Sequence, residues 1–225
     1  MIVLVAVLLL TMLLASTSIG AQGAPAAVTD AANPSEGWAL TAAQLERLEA
    51  GAILSDGKVT SETPVAEFRA VVQIGVPPQQ VFRTLTDCAQ ALRFVPHLKR
   101  CAVIDTAADG RWQDVEQTVD YGWLAPRSRY VFHAEYEPYE RIRFSHVRGD
   151  FHENEGAWEF RPVQGGRATL VFYRARVSPA FYVPRWLMRS MLKRDLPDLM
   201  RGLRARAEAG PPPAVTGSPI AVPPG

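Results

Sequence analysis

The side chains able to do chemistry are few and scattered. The four histidines are His97, His133, His146 and His152. Two of them fall in Ser145–Glu155 (SHVRGDFHENE), beside Asp150, Glu153 and Glu155. A metal site needs ligands converging on one point. Polar residues clustered between two strands are more simply read as a solvated hairpin tip, and no metal is assigned. The chain has no GxSxG nucleophile motif and no phosphate-cradling glycine loop. Acid–base chemistry is conceivable at Tyr121, Tyr130, Tyr136, Tyr173 and Arg174, because a few such groups in a cavity can move protons on a carbonyl compound. The plainer reading makes these aromatics core or cavity lining. No catalytic residue is assigned.

Cys88 and Cys101 are the only cysteines, and neither lies in a CxxC motif. An even count in an exported chain permits one disulfide; two buried free thiols are the alternative. The net charge of +1 provides no field to recruit nucleic acid. With 48% hydrophobic and 21% charged residues, the composition is that of an ordinary globular protein. No cofactor is assigned, and a monomer is expected.

The ends differ from the middle. Ile2–Leu14 is apolar but shorter than a membrane span, and small residues follow it. This fits a signal peptide over residues 1–23, with an uncleaved anchor as the alternative. No Lys or Arg precedes Arg47, which is unusual for such a segment. The expected location is the periplasm or the exterior. Residues 24–39 read as a linker, residues 40–208 as one domain, and residues 209–225 as a Pro-rich disordered tail.

Within the domain, Thr41 and Gln44 have capping-box spacing for a short helix ended by Gly51. Ala52–Thr60 reads as an edge strand broken at Asp56-Gly57, and Ala66–Val76 as a strand stopped by Pro77 and Pro78. Two short helices, Gln79–Thr86 and Ala89–Phe94, precede a strand at Arg100–Asp105. Period-two apolar spacing then marks strands at Trp112–Tyr121, Ser128–Tyr136, Arg141–Val147, Gly156–Pro162 and Arg167–Val177. The last element, Pro184 to Ala207, carries an apolar helix face from Leu187 to Leu203. Its basic face (Arg185, Arg189, Lys193, Arg194, Arg201, Arg204, Arg206) is read as solvated, with peripheral membrane contact as the alternative. Pro197 predicts a break near Asp195–Pro197. Strands in a run with a helix segregated at the end define an α+β fold, a curved antiparallel sheet around a long C-terminal helix.

The segment Val76–Val103 (VPPQQVFRTLTDCAQALRFVPHLKRCAV), the Gly156, Trp158, Phe160 and Gly165-Gly166 pattern, and Pro179–Arg206 resemble the START-like (SRPBCC) superfamily. The resemblance is to its polyketide cyclase/dehydrase and coenzyme Q-binding group, and it covers Leu40 to Glu208. It implies a helix-grip fold. It also implies that the end of the first of the two short helices meets the start of the next strand, pairing Cys88 with Cys101. A sheet gripping a helix leaves a concave space, the usual setting of a ligand site. The expected function is non-enzymatic binding of an apolar molecule, whether lipid, isoprenoid or polyketide-like. The expected lining is Tyr121, Phe132, Trp158, Tyr173, Trp186, Met188 and Met191. A cyclase/aromatase and an interaction module with a filled core are the alternatives.

Overall fold

In Ala66–Ile74, every second residue (Ala66, Phe68, Ala70, Val72, Ile74) turns to one face. Ala70, Val72 and Ile74 are fully buried there. The computed structural model describes residues 38–60 and 65–210, so the expected signal peptide and nearly all of the expected linker and Pro-rich tail lie outside the described residues. Strands β1 (Ile53–Val59), β2 (Ala66–Ile74), β3 (Leu98–Thr106), β4 (Trp112–Val119), β5 (Ser128–Glu137), β6 (Arg141–Gly149), β7 (Phe151–Val163) and β8 (Ala168–Pro179) form one antiparallel sheet. Their order is β1-β2-β8-β7-β6-β5-β4-β3. Helices α2 (Pro78–Thr86) and α3 (Cys88–Phe94) join β2 to the far edge, and α4 (Arg185–Ala209) lies across the inner face. This is the helix-grip arrangement.

Local signals explain the boundaries. Helix α1 (Ala42–Glu49) begins in a capping box: Gln44 N donates to Thr41 Oγ1 at 3.2 Å, and Thr41 N donates to Gln44 Oε1 at 3.0 Å. Pro78 opens α2, where its missing N–H costs nothing. Asp87 Oδ1 accepts from Ala89 N at 2.7 Å and caps α3. Helix α1 packs on the outer face, where Leu48, Leu54, Val71, Leu170 and Phe172 bury a second cluster. Trp38 joins that cluster and carries Arg69 over its ring at 4.6 Å.

Three expectations are corrected. Strand β1 is not broken at Asp56-Gly57, because both residues pair with β2. Gly57 is there for contact: a Cβ on it would sit 2.7 Å from Leu192 Cδ2 of α4. Helix α4 does not break at Pro197 but continues through it as one element. The carbonyl left without its usual donor belongs to Lys193, an exposed residue that water can reach. Leu196, Met200 and Leu203, all buried, hold the helix to the core on either side of the proline. Finally, Ser145–Glu155 is mostly strand rather than a loop. The β6–β7 ladder stops at Phe144 and Gly156. Beyond it β6 pairs only with β5 and β7 only with β8, so the two strands part.

One glycine sets how closely two helices approach. A Cβ on Gly202 of α4 would lie 2.8 Å from Phe94 O and 3.0 Å from Phe94 Cβ at the end of α3. The C-terminal turns of α4 are also clamped by polar contacts: Gln80 Nε2 donates to Ala207 O at 2.7 Å, Gly75 N to Glu208 Oε1 at 2.9 Å, and Arg204 Nη1 to Gly51 O at 2.8 Å. Part of the basic face expected to be solvated is therefore structural. Alanine is the better helix former by about 1 kcal/mol, yet Gly202→Ala should lower stability in urea by about 1–3 kcal/mol through overpacking. A variant as stable as the parent would show that Phe94 yields.

Candidate functional site: a two-lobed cavity under the C-terminal helix

The inner face of the sheet is aromatic because the alternation in β5, β7 and β8 points large rings the same way. Trp158 and Tyr173 are cross-strand partners whose rings stack at 3.8 Å and 14°. Phe144 lies 6.4 Å from Tyr173 and 6.0 Å from Phe132, which extends the wall across two more strands, β6 and β5. Gly156 makes room for this: a Cβ there would meet Phe144 Cζ at 2.7 Å and the Arg174 carbonyl at 2.2 Å.

The space between this wall and the helices has two lobes. One, of about 180 Å³, lies under α2 and α3 and is lined by Phe132, Tyr136, Phe144 and Trp158, with Cys88 and Cys101 in its wall. The other, of about 260 Å³, lies under the first half of α4 and is lined by Phe68, Tyr121, Phe151, Met188, Met191 and Asp195. Val95, Tyr130, Asn154, Tyr173 and Leu199 line both lobes, so the two meet along them.

Of the residues expected to line a cavity, Tyr121, Phe132, Trp158, Tyr173, Met188 and Met191 do so. Trp186 does not, and is 69% exposed. Met188 faces inward, and two residues along a helix is about 200° of rotation, which turns Trp186 to solvent. Arg174 is also exposed, since it alternates with the inward-facing Tyr173. Cys88 and Cys101 form a disulfide with a Cα–Cα distance of 5.2 Å, tying the start of α3 to β3.

The phenols of the cavity are hydrogen-bond donors rather than bases. Burial raises the pKa of Tyr130 and Tyr173 well above the usual phenol range, and pushes Tyr136 up to about 12. Tyr121 is raised by burial first and by the Asp195 carboxylate second. Two phenols of the smaller lobe find acceptors on β4. Tyr130 Oη donates to Gln117 Oε1 at 2.8 Å, Gln117 Nε2 donates to Cys101 Sγ at 3.7 Å, and Tyr136 Oη donates to Gln113 Oε1 at 2.9 Å.

The larger lobe holds one group that the sequence reading missed. Asp195 lies in its wall with a side chain 15% exposed. Its Oδ1 takes Arg194 Nε at 2.9 Å and lies 3.7 Å from His97 Nε2. The spacing contained the signal. Asp195 is four residues from both Met191 and Leu199, so a carboxylate sits inside the apolar stripe.

The histidines elsewhere make no catalytic arrangement with the cavity. His133 Nδ1 and Asp114 Oδ1 are 2.6 Å apart, but Asp114 alternates with the inward-facing Val115, so this pair lies on the outer face. His146 is held below the usual imidazole range by burial first and the nearby His152 second. Among the described residues, no three His, Cys, Asp or Glu side chains are grouped to hold a metal.

A curled sheet with an apolar, two-lobed space closed by one long helix defines a helix-grip protein built around an internal cavity. The chain belongs to the polyketide cyclase/dehydrase and lipid transport family, whose profile matches residues 74–204. Its structure is similar to that of a STAR-related lipid transfer protein from Xanthomonas axonopodis, with a TM-score of 0.59 and 19% identity over 69% of this chain and 93% of that one. Human StAR-related lipid transfer protein 5 is similar with a TM-score of 0.58 and 13% identity, covering 71% of this chain and 83% of that one. The Zhui aromatase/cyclase from a Streptomyces species is similar with a TM-score of 0.54 and 12% identity, covering 64% and 94%. At these identities the likeness is one of fold. None of the curated proteins matches the chain in sequence.

The disulfide closes a loop between residues 13 apart, and replacing both cysteines by serine should lower the unfolding free energy by roughly 3 kcal/mol in the chain-entropy account. Equal denaturant midpoints for the double variant and the parent would show that the bond contributes no stability.

Proposed function

We propose that the domain is a non-enzymatic carrier of an apolar small molecule, a lipid, isoprenoid or polyketide-like compound, held in the two-lobed cavity. The observation that carries this reading is the chemistry of the wall. It is built of stacked aromatics, methionines and leucines, and the Tyr130 and Tyr136 hydroxyls are spent on Gln117 and Gln113. Methionines at 188 and 191 suit a wall that adapts to its guest. Two of the structural neighbours are lipid transfer proteins by name, which fits the same reading. A cavity of about 260 Å³ beside one of 180 Å³ speaks against an interaction module with a filled core.

Exchange with a lipid surface belongs to this proposal. Trp123, Tyr182 and Trp186 are large and exposed, and their neighbours Leu124, Phe181 and Leu187 share one cluster beside the larger lobe. Exposed aromatics of this kind suit a lipid–water interface, and Arg185 and Arg189 add positive charge on the same stretch. A cyclase/aromatase remains the second reading, favoured by the half-buried Asp195 next to Tyr121 and His97.

Transfer of a fluorescent lipid between vesicles distinguishes these ideas. Leu199→Trp, which fills the meeting point of the lobes, should abolish binding and transfer. A Trp123→Ala/Trp186→Ala variant should keep equilibrium binding and slow transfer several-fold. Absence of binding by the parent protein after organic extraction would overturn the carrier reading. Turnover of a polyketone that Asp195→Asn abolishes would establish the enzyme instead.

Export is also proposed. It is supported by the apolar Ile2–Leu14 stretch and by a disulfide, a bond that persists in oxidising compartments. Among the described residues, no helix is long and apolar enough to cross a membrane. The mature protein should lack about the first 23 residues, as a signal peptide would; intact mass showing a start at Met1 would overturn this.

A further inference from the structure

In the smaller lobe the Tyr130 and Tyr136 hydroxyls already have acceptors in the protein. A carboxylate in the larger lobe is only half served. Asp195 Oδ2 is buried and has no hydrogen-bond partner in the protein. The Tyr121 hydroxyl faces the same carboxylate, whose charge and weak side-chain hydrogen bonding both add to the effect of burial in raising its pKa, but it makes no hydrogen bond of 3.5 Å or less to Oδ2. A buried carboxylate oxygen without a donor is costly, typically by 1–3 kcal/mol or more.

The neighbouring groups hold this oxygen in place. Arg194 Nε and His97 Nε2 both approach the other oxygen, Oδ1. His97 has a φ of 61°, a strained backbone for a residue with a side chain, and its ring stacks on Tyr121 at 4.2 Å. Its carbonyl accepts from Asp120 N at 3.0 Å, which ties this turn to the end of β4. One carboxylate oxygen is thereby occupied, and the other is left on a helix face that lines the cavity.

We propose that Asp195 Oδ2 is the polar anchor of the cavity and accepts a hydrogen bond from a hydroxyl group on an otherwise apolar ligand. This deepens, and rests on, the carrier reading above. Because Arg194 already lies on the carboxylate, a neutral alcohol or phenol suits the site better than an ammonium group, which would add a second cation beside it. The ligand class is therefore a hydroxylated apolar molecule, with its hydroxyl under α4 and its body reaching past Tyr130, Tyr173 and Leu199 toward the smaller lobe.

The test uses 1-pyrenebutanol and its methyl ether, which differ in the donor and little else, titrated against the full chain by fluorescence. The parent protein should bind the alcohol about tenfold more tightly, as expected for one hydrogen bond to a charged acceptor. Asp195→Leu should bind both compounds with the ether's affinity. Asp195→Asn, closest in shape, should lose most of the preference and serves if the leucine variant does not fold. Equal affinity of the parent for the two compounds, or a preference that survives at Asp195→Leu, overturns the anchor and leaves the carrier reading standing. Binding of neither compound by the parent overturns both.

Discussion

An eight-stranded antiparallel sheet curls through its own twist, and the concave face it makes is wider than one helix can cover. The remaining features of the domain follow from that mismatch. The inner face is apolar and must leave water. Helix α4 is the only described element long enough to span it, at 25 residues. It is seated closely at two places where glycine removes a side chain: Gly57 of β1 lies against Leu192, and Gly202 of α4 against Phe94. Between those contacts the helix and the curved wall diverge, and the cavity is the remainder.

The same constraint sorts the polar groups. On the outer face, charged side chains meet across strands near water, as Glu116 does with Arg129 and Arg176 with Glu67 and Glu153. On the inner face a polar atom must find a partner inside. Tyr130 and Tyr136 find theirs on β4, one strand away. Asp195 finds partners for one oxygen only. In a wall otherwise built from Trp158, Tyr173, Leu199 and two methionines, that oxygen distinguishes the larger lobe from a passive apolar void.

The pattern of strands and helices was legible in the chain because local chemistry and long-range packing agree there. Thr41 and Gln44 specify a cap that forms as read, and the alternation at Tyr130, Phe132, Ala134 and Tyr136 survives as a cavity-facing row. Reading failed where a residue's role belongs to a distant partner. Gly57 looked like a strand breaker because its reason, Leu192, lies 135 positions away in the chain. Pro197 looked like a break because the buried neighbours that hold the helix through it are tertiary contacts. The stretch Ser145–Glu155 looked like a loop because each half pairs with a different outer strand.

By itself the sequence determined the α+β class, the order of elements, the apolar stripe of the last helix and most of the cavity lining. Each of these follows from periodicity, which a chain carries locally. Only the tertiary structure decided that the inner space has two lobes, that Trp186 turns to solvent, and that Cys88 reaches Cys101. It also decided that Asp195 Oδ2 is buried and unpartnered. These depend on where a curved sheet and a straight helix fail to touch, a property of their packing rather than of either segment.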